Sequence, residues 1–286
     1  MIEIYLLEAL DAFMRCGTLS KAAEELHISQ PALSRSMKKL EESLDVPLFI
    51  RTGNSIELNE TGKFAAGLAG SLLNQNRNMI EQVRNHAASL HTISIGYCAP
   101  GPAMELPGLL TGMYPDLKIS SEQKSEEELL KGLKENRYTY IILSHETHDD
   151  TLSEVYYGSE TLYIAAIPAH PLSVYKDQGV CFSDINGETF LQVSDVGIWD
   201  DIKKKMMPDS RILKQESLDS LSQIINASSI LSFATDISIR LFRAAENPER
   251  IFIPIRDPEA TVNYYCVCRK ENAGSLLMKR LAAGKR

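Results

Sequence analysis

The sequence has no apolar run long enough to cross a bilayer, and its N-terminus lacks the basic leader and apolar core of a signal peptide. Its five cysteines are an odd number without tight spacing, which argues against a disulfide framework and for a reducing compartment. Internal repeats and low-complexity segments are absent as well. These features predict a cytoplasmic protein, and 286 residues of ordinary globular composition suggest about two domains.

Basic residues are outnumbered, 30 against 38 acidic ones, so the net charge is −8. A chain of this charge can bind nucleic acid only where its basic residues are concentrated locally. The sequence also has no Gly-x-Ser-x-Gly, Gly-x-Gly-x-x-Gly or Walker motif, which disfavours the enzyme classes that depend on them. We therefore expect no catalysis and no cofactor.

The first 60 residues predict three short helices followed by a hairpin. The helices cover residues 2–16, 19–26 and a segment that begins at Ser29, a good N-cap, with Pro31 in its first turn. Leu33, Met37 and Leu40 then recur at helical spacing and define a core face. Extended pieces at 48–51 and 55–58, joined by Thr52-Gly53-Asn54, predict a β-hairpin wing. The pattern is that of a winged helix-turn-helix.

Residues 61–90 predict one long helix with a heptad seam. Its residues alternate by four and three: Ala65, Ala69, Leu72, Asn76, Met79, Val83, His86 and Leu90. We interpret this seam as a dimer interface, and the alternative is a long helix packed on its own chain. From residue 91 onward, strands and helices alternate at the spacing of βαβ units, which predicts an α/β fold. The predicted strands cover 92–98, 117–122, 138–143, 163–167, 189–193, 211–214, 230–233, 250–255 and 262–268, with a last helix at 273–283.

Residues 17–62, "GTLSKAAEELHISQPALSRSMKKLEESLDVPLFIRTGNSIELNETG", closely resemble the N-terminal domain of LysR-type transcriptional regulators. "YPDLKI", "SEEELLKGL" and "AAIPAHPLS" extend the resemblance, more weakly, along the chain. It implies a winged helix-turn-helix at 1–60, a linker helix at 61–90 and, at 91–286, an effector domain like a periplasmic solute-binding protein. In that domain lobe I takes about 91–162 and 266–286, and lobe II about 163–265. The resemblance also implies dimers that pair into tetramers on partly palindromic promoter DNA.

The third helix is the predicted recognition helix. A helix in the major groove reads bases with short polar or bidentate side chains near its N-terminus, while phosphates are held by basic side chains and free N–H groups. An isolated surface charge would usually be only solvated, but here the polar and basic residues share one face. The predicted DNA-binding residues are Ser29, Gln30, Pro31, Ser34, Arg35, Lys38 and, on the wing, Arg51.

The effector is predicted to lie in the crevice between the lobes, at strand carboxyl ends and helix N-termini. Each serine there could equally serve only to cap its own helix. Because Asp195 and Glu146 would oppose a carboxylate, either they point away or the small molecule is neutral or cationic. The candidate effector-binding residues are Cys98, Ala99, Pro100, Ser125, Ser144, Ser194, Asp195 and Thr235.

Two further chemistries stay open for the same architecture. His145 and His148, with the acidic residues around them, form a candidate metal cluster, although their spacing of three is not that of a helical HExxH motif. Cys98 at the crevice is a candidate reactive thiol. Outside transcription, the distant alternatives are a solute-binding protein or an α/β enzyme.

The charge of the recognition segment itself is unusual. Residues 20–49 contain four basic and five acidic side chains, so even this segment is not basic. Arg35, Lys38 and Lys39 are predicted to share its DNA-facing half, and the glutamates to lie on the second helix or at the far end of the third. We therefore expect weak non-specific attraction and a shallow salt dependence of half-site binding.

Overall fold

Three helices, α1 (Ile4–Cys16), α2 (Leu19–Glu25) and α3 (Gln30–Leu44), begin the fold. The structure is a computed structural model that describes residues 1–52, 55–242 and 249–284. Each helix boundary follows from local chemistry: Gly17 ends α1 in the left-handed conformation, and the side chains of Thr18 and Ser29 cap α2 and α3. Leu10, Phe13, Leu33, Met37 and Leu40 form the centre of a shared apolar core.

A two-stranded wing follows α3. β1 (Phe49–Thr52) pairs antiparallel with β2 (Ser55–Leu58), in the register Phe49 to Leu58 and Thr52 to Ser55. The predicted Gly53-Asn54 turn lies outside the described residues.

The long helix α4 (Glu60–Ser89) does not present the predicted heptad seam at its start. Ala69, assigned to the seam, is buried in the core of α1–α3, as is Ala66, and Leu73 is buried as well. The apolar side chains of α4 that remain exposed form a stripe along the helix. Its first two members, Phe64 and Leu68, each precede the corresponding seam residue, Ala65 or Ala69, by one position. The stripe comprises Phe64, Leu68, Leu72, Met79, Ile80 and Val83. The shift arises because the helix-turn-helix core takes one face of α4 for itself.

The chain divides into two units, Met1–Arg84 and Asn85–Arg286. The second unit has a mixed sheet in the order β4-β3-β5-β11-β6-β9-β7-β8, with β10 also paired to β6. Its strands are β3 (Thr92–Tyr97), β4 (Lys118–Gln123), β5 (Tyr140–Leu143), β6 (Leu152–Ala166), β7 (Thr189–Val193), β8 (Arg211–Gln215), β9 (Leu231–Thr235), β10 (Ile251–Pro254) and β11 (Thr261–Arg269). Its helices are α5 (Pro100–Met113), α6 (Glu126–Lys134), α7 (Phe182–Ile185), α8 (Ile198–Met206), α9 (Leu218–Ala227), α10 (Asp236–Leu241) and α11 (Leu276–Ala282).

Two antiparallel strands connect the two α/β lobes of this unit. β6 pairs with β11 from Leu152 to Thr161, and its last residues, from Leu162 on, pair with β9 and β10. The predicted strand at 163–167 is therefore only the end of a strand of 15 residues. A bulge shifts the β6–β11 register between Tyr264 and Tyr265.

The last helix begins later than predicted. Residues Lys270–Asn272 form a 3-10 turn, and Ser275 caps α11 through the backbone N–H of Met278. The sequence also predicts a helix at 236–244, and its last two residues lie outside the described residues. Across the described ranges, none of the helices combines the length and apolarity needed to cross a membrane.

Candidate functional site

The exposed face of α3 lies opposite its buried Leu33, Met37 and Leu40. At 100° per residue, Pro31, Arg35 and Lys38 lie on the side away from the core, Ser34 lies at the edge of that side, and Gln30 lies nearer the core side in the first turn. All of these are exposed except Ser34, which is half-buried. Three of the seven predicted DNA-binding residues thus lie on the face opposite the core, with Ser34 at its edge.

The two other predicted DNA-binding residues flank this surface. Ser29 is exposed, but its hydroxyl already accepts the backbone N–H of Ala32 at 3.4 Å as the α3 cap. Arg51 projects from β1 of the wing and is also exposed. Because Ser29 serves α3 through its side chain, a phosphate there would meet the other N–H groups of the first turn.

The basic residues of α3 differ in their partners. Within the part of the chain that the structure describes, Arg35 has no ion pair, whereas Lys38 lies 3.7 Å from Glu42. Lys39, which was predicted to share the DNA-facing half, has partners within the domain. Its Nζ donates to Glu3 at 2.7 Å and to the Tyr5 hydroxyl at 3.0 Å, which raises the pKa of Lys39. It ties α3 to the start of α1.

Two acidic residues of the segment also have internal partners. Glu25 accepts hydrogen bonds from Cys16 and Arg15, and both lower the pKa of the Glu25 carboxyl. Glu41 was not singled out in the sequence, yet its carboxylate accepts the backbone N–H groups of Leu48 and Phe49, at 2.7 and 3.2 Å. Its carboxylate thus holds the start of the wing against α3.

The predicted effector residues are distributed over three cavities of the second unit. Cys98, Ser125 and Asp195 line the first, of about 440 Å³, together with Gly197 and Asp201. Pro100 and Thr235 line a second, and Ser144 lines a third with His145, Glu146 and His148. Ala99 and Ser194 line none of these three. The structure thus groups three of the eight residues.

The first cavity is strongly acidic. Asp195 accepts a hydrogen bond from Gln123 at 2.6 Å, and Glu128 forms a capping box with Ser125 that lowers the pKa of Glu128. Ser125 therefore combines both of its predicted roles, since its hydroxyl caps α6 and the residue lines the cavity. The remaining charged residues of the wall are Glu126, Asp201 and Lys124.

Cys98 contributes a buried thiol to this cavity. Only 1% of the residue is exposed, and burial, reinforced by the nearby Glu126 carboxylate, raises the pKa of the thiol far above its ordinary value. A thiol of raised pKa is a poor nucleophile because the thiolate is the reactive form. The environment therefore disfavours Cys98 as a redox sensor.

The candidate metal cluster is divided in the structure. His145 turns to Glu126, with its Nδ1 3.2 Å from the carboxylate, whereas His148 groups with Glu146 and Glu154. Glu154 already accepts the backbone N–H and the hydroxyl of Thr147, each at 2.8 Å. The two histidines do not converge on one point.

Sequence comparisons match both units. Residues 4–63 match the family described as "Bacterial regulatory helix-turn-helix protein, lysR family", and residues 92–283 match "LysR substrate binding domain". Similar curated proteins are the uncharacterized HTH-type transcriptional regulator YybE of Bacillus subtilis, 28% identical over 65% of this chain, and the HTH-type transcriptional regulator BenM of Acinetobacter baylyi, 28% identical over 66%. Each match covers 64% of the relative, just under two thirds of its length.

The solved structures agree on the fold. A full-length OxyR variant from Pseudomonas aeruginosa superposes with a TM-score of 0.52 at 18% identity, covering 99% of this chain and 94% of that one. At this identity the likeness supports the architecture alone. Since the second family match by itself covers more than half of the residues, the chain belongs to the LysR family of bacterial helix-turn-helix regulators.

Proposed function

We propose that the protein is a sequence-specific DNA-binding transcriptional regulator without enzymatic activity, controlled by a small-molecule effector bound between the two lobes of its second unit. The observation that carries the proposal is the exposed face of α3. There Arg35, without an ion pair in the described chain, lies one turn from Pro31 and Lys38 and opposite the buried stripe. An arginine in that place can donate two hydrogen bonds to a guanine edge.

The proposal includes a homodimer formed through α4 that can pair further into a tetramer. Leu72 is 51% exposed and Val83 is 64% exposed, on a helix of 30 residues. Exposed apolar residues along one helix favour a partner helix. Two recognition helices related by a twofold axis would read two half-sites of a promoter, about one helical turn apart.

We propose that the effector carries a positive charge or several hydrogen-bond donors. The cavity at Cys98 and Ser125 has four carboxylates, Glu126, Glu128, Asp195 and Asp201, against one lysine, Lys124. A carboxylate ligand there would face like charges, whereas an amine would meet complementary ones. The expectation of a neutral or cationic ligand thus gains support from the charges of this wall.

A gel-shift titration with the DNA upstream of the protein's own gene tests the regulator. We expect Arg35→Ala to weaken specific binding by about 1–3 kcal/mol, the usual value of a bidentate base contact. Arg77→Ala, which removes an exposed arginine of α4, is the matched control and should bind like the wild type. Binding that is unaffected by Arg35→Ala, or no shift of any upstream fragment at low salt, would contradict the proposal.

The salt dependence gives a second readout of the same surface. With Lys39 held by Glu3, the α3 face offers Arg35 and Lys38 as its basic groups, and the wing adds Arg51. Each neutralised phosphate contributes about −0.9 to the slope of log K against log salt. We expect a half-site slope of roughly −2 to −3, and a slope near −10 would show a much larger phosphate contact.

A further inference from the structure

The connection between β5 and β6 brings three side chains of metal-ligand type together. Glu146 and His148 lie in the connection itself, and Glu154 follows on β6. Each offers one ligand atom, a carboxylate oxygen or an imidazole nitrogen, and these three atoms all lie within 4.8 Å of one another. The donors therefore surround one small volume at the protein surface.

The separations are close to those of a bound transition metal. A tetrahedral Zn²⁺ with bonds of about 2.0–2.2 Å keeps its ligand atoms roughly 3.3–3.6 Å apart. Nδ1 of His148 already lies 3.9 Å from Oε2 of Glu146. The side chains of these two residues are 79% and 47% exposed, so both are free to turn. Closing the cluster around an ion then requires side-chain rotation alone.

Glu154 is the member of the cluster whose orientation is fixed. Its Oε2 accepts the backbone N–H and the hydroxyl of Thr147, each at 2.8 Å. Carboxylates that coordinate a metal are usually oriented by hydrogen bonds of this kind from residues outside the coordination shell. Both bonds engage Oε2, which leaves Oε1 available to coordinate.

The cluster gathers negative charge without a basic partner. Across the ranges that the structure describes, neither Glu146 nor Glu154 forms an ion pair with a lysine or an arginine, and Lys134 pairs with Asp149 instead, at 2.9 Å. Two carboxylates this close repel each other unless a cation lies between them. The third member is an imidazole, which distinguishes the cluster from an ordinary acidic surface patch. A divalent cation would supply the missing charge and use all three donors.

We propose that Glu146, His148 and Glu154 form a binding site for a divalent first-row transition metal ion, represented by Zn²⁺, with water completing the coordination. Imidazole is a good ligand for Zn²⁺, whereas Mg²⁺ and Ca²⁺ prefer oxygen ligands. Glu154 lines none of the three cavities described above, so the site is distinct from the acidic cavity at Cys98 and Ser125. The ion would join the connection after β5 to the start of β6.

Calorimetric titration of the full chain with zinc chloride, in a buffer that does not chelate metals, tests the site. We expect Zn²⁺ to bind with one-to-one stoichiometry and at least about tenfold more tightly than Mg²⁺ or Ca²⁺. Titration with Co²⁺ identifies the ligand atoms. Because the site contains no cysteine, its visible spectrum should lack the intense charge-transfer band of a cobalt thiolate.

Two conservative variants remove one ligand each. His148→Asn suits the left-handed backbone at this position, where φ is +50°, because asparagine adopts that conformation readily. Glu154→Gln keeps an oxygen that can accept the hydrogen bonds of Thr147. We expect each variant to weaken Zn²⁺ binding by at least about tenfold, since the loss even of an outer-shell partner costs about 10–100-fold.

The neighbouring histidine provides the matched control. His145 lies 3.2 Å from Glu126 and outside the cluster, so His145→Asn should bind Zn²⁺ like the wild type. The proposal is overturned if Zn²⁺ does not bind, if Mg²⁺ binds as tightly as Zn²⁺, or if bound Co²⁺ shows a thiolate band. It is also overturned if His148→Asn and Glu154→Gln bind Zn²⁺ like the wild type, since the ion would then lie elsewhere.

Discussion

The backbone N–H of Ile198 donates a hydrogen bond to the carbonyl oxygen of Cys98 at 3.1 Å, joining the first turn of α8 to the end of β3. The contact links the two lobes at the acidic cavity. It depends on Gly197, whose φ of +57° is in the left-handed region. A Cβ at Gly197 would lie 2.0 Å from the same carbonyl oxygen. The lobes approach this closely because the residue has no side chain.

Gly197→Ala should therefore break this contact. We expect the variant to lose about 1–3 kcal/mol of unfolding free energy from the second unit, the cost of a strained backbone, and more if the clash is not relieved. Thermal unfolding and limited proteolysis of the full chain measure the change. Gly187→Ala is the control, since Gly187 has a φ of +96° but nothing within 4 Å of a Cβ. Equal losses in the two variants would show that strain alone, without the contact to Cys98, accounts for the effect.

Charged substitutions on the exposed stripe of α4 should separate the proposed dimer. A side chain of this size contributes about 1.5–3 kcal/mol when buried, and each substitution acts twice in a symmetric interface. We expect Leu72→Glu and Val83→Glu to be monomers in sedimentation equilibrium and to lose affinity for a two-half-site operator while keeping half-site affinity. Gln75→Glu, at an exposed polar position of the same helix, should remain a dimer. Dimers in all three variants would place the interface elsewhere.

The N-terminal domain could be predicted well because its signals are local. Ser29 caps α3 from the adjacent position, and Leu33, Met37 and Leu40 show the core face at helical spacing. The hydrogen bonds of Lys39 could not be predicted in this way. Its partner, Glu3, lies 36 residues away, and the sequence contains no local sign of the pair.

In the effector domain, too, only features that depend on neighbouring residues could be predicted. The alternation of strands and helices was recognisable, but most of β6 was missed because it pairs with β11 about a hundred residues later. The buried Lys203 lies in the run Lys203-Lys204-Lys205, a sequence typical of solvent-exposed side chains. The one signal of its burial is the spacing of four from the buried Trp199, which places both on one face of α8.

Cys98 should resist alkylation in the folded protein. Burial raises the pKa of its thiol, so little thiolate forms and access is limited. Peptide mass spectrometry after brief iodoacetamide treatment should find Cys181, which is half-buried, labelled well before Cys98. Labelling in denaturant is the control and should modify both. Rapid labelling of Cys98 in the native protein would contradict this expectation and support Cys98 as a reactive thiol.

The buried charge of Lys203 should make stability depend on pH. Its pKa is about 7 in the folded protein and 10.5 as a model value, so between these limits the unfolded chain binds more protons than the folded one. The stability contributed by this group therefore rises as pH increases from about 7 to about 10, and the full penalty is present below pH 7. We expect Lys203→Met to be more stable than the wild type at about pH 6, with a difference that shrinks by about pH 9, as measured by urea unfolding. The same comparison with Lys204→Met should show no such trend, because Lys204 is exposed. A stability difference that is constant with pH would mean that Lys203 keeps its proton in the folded protein over this range.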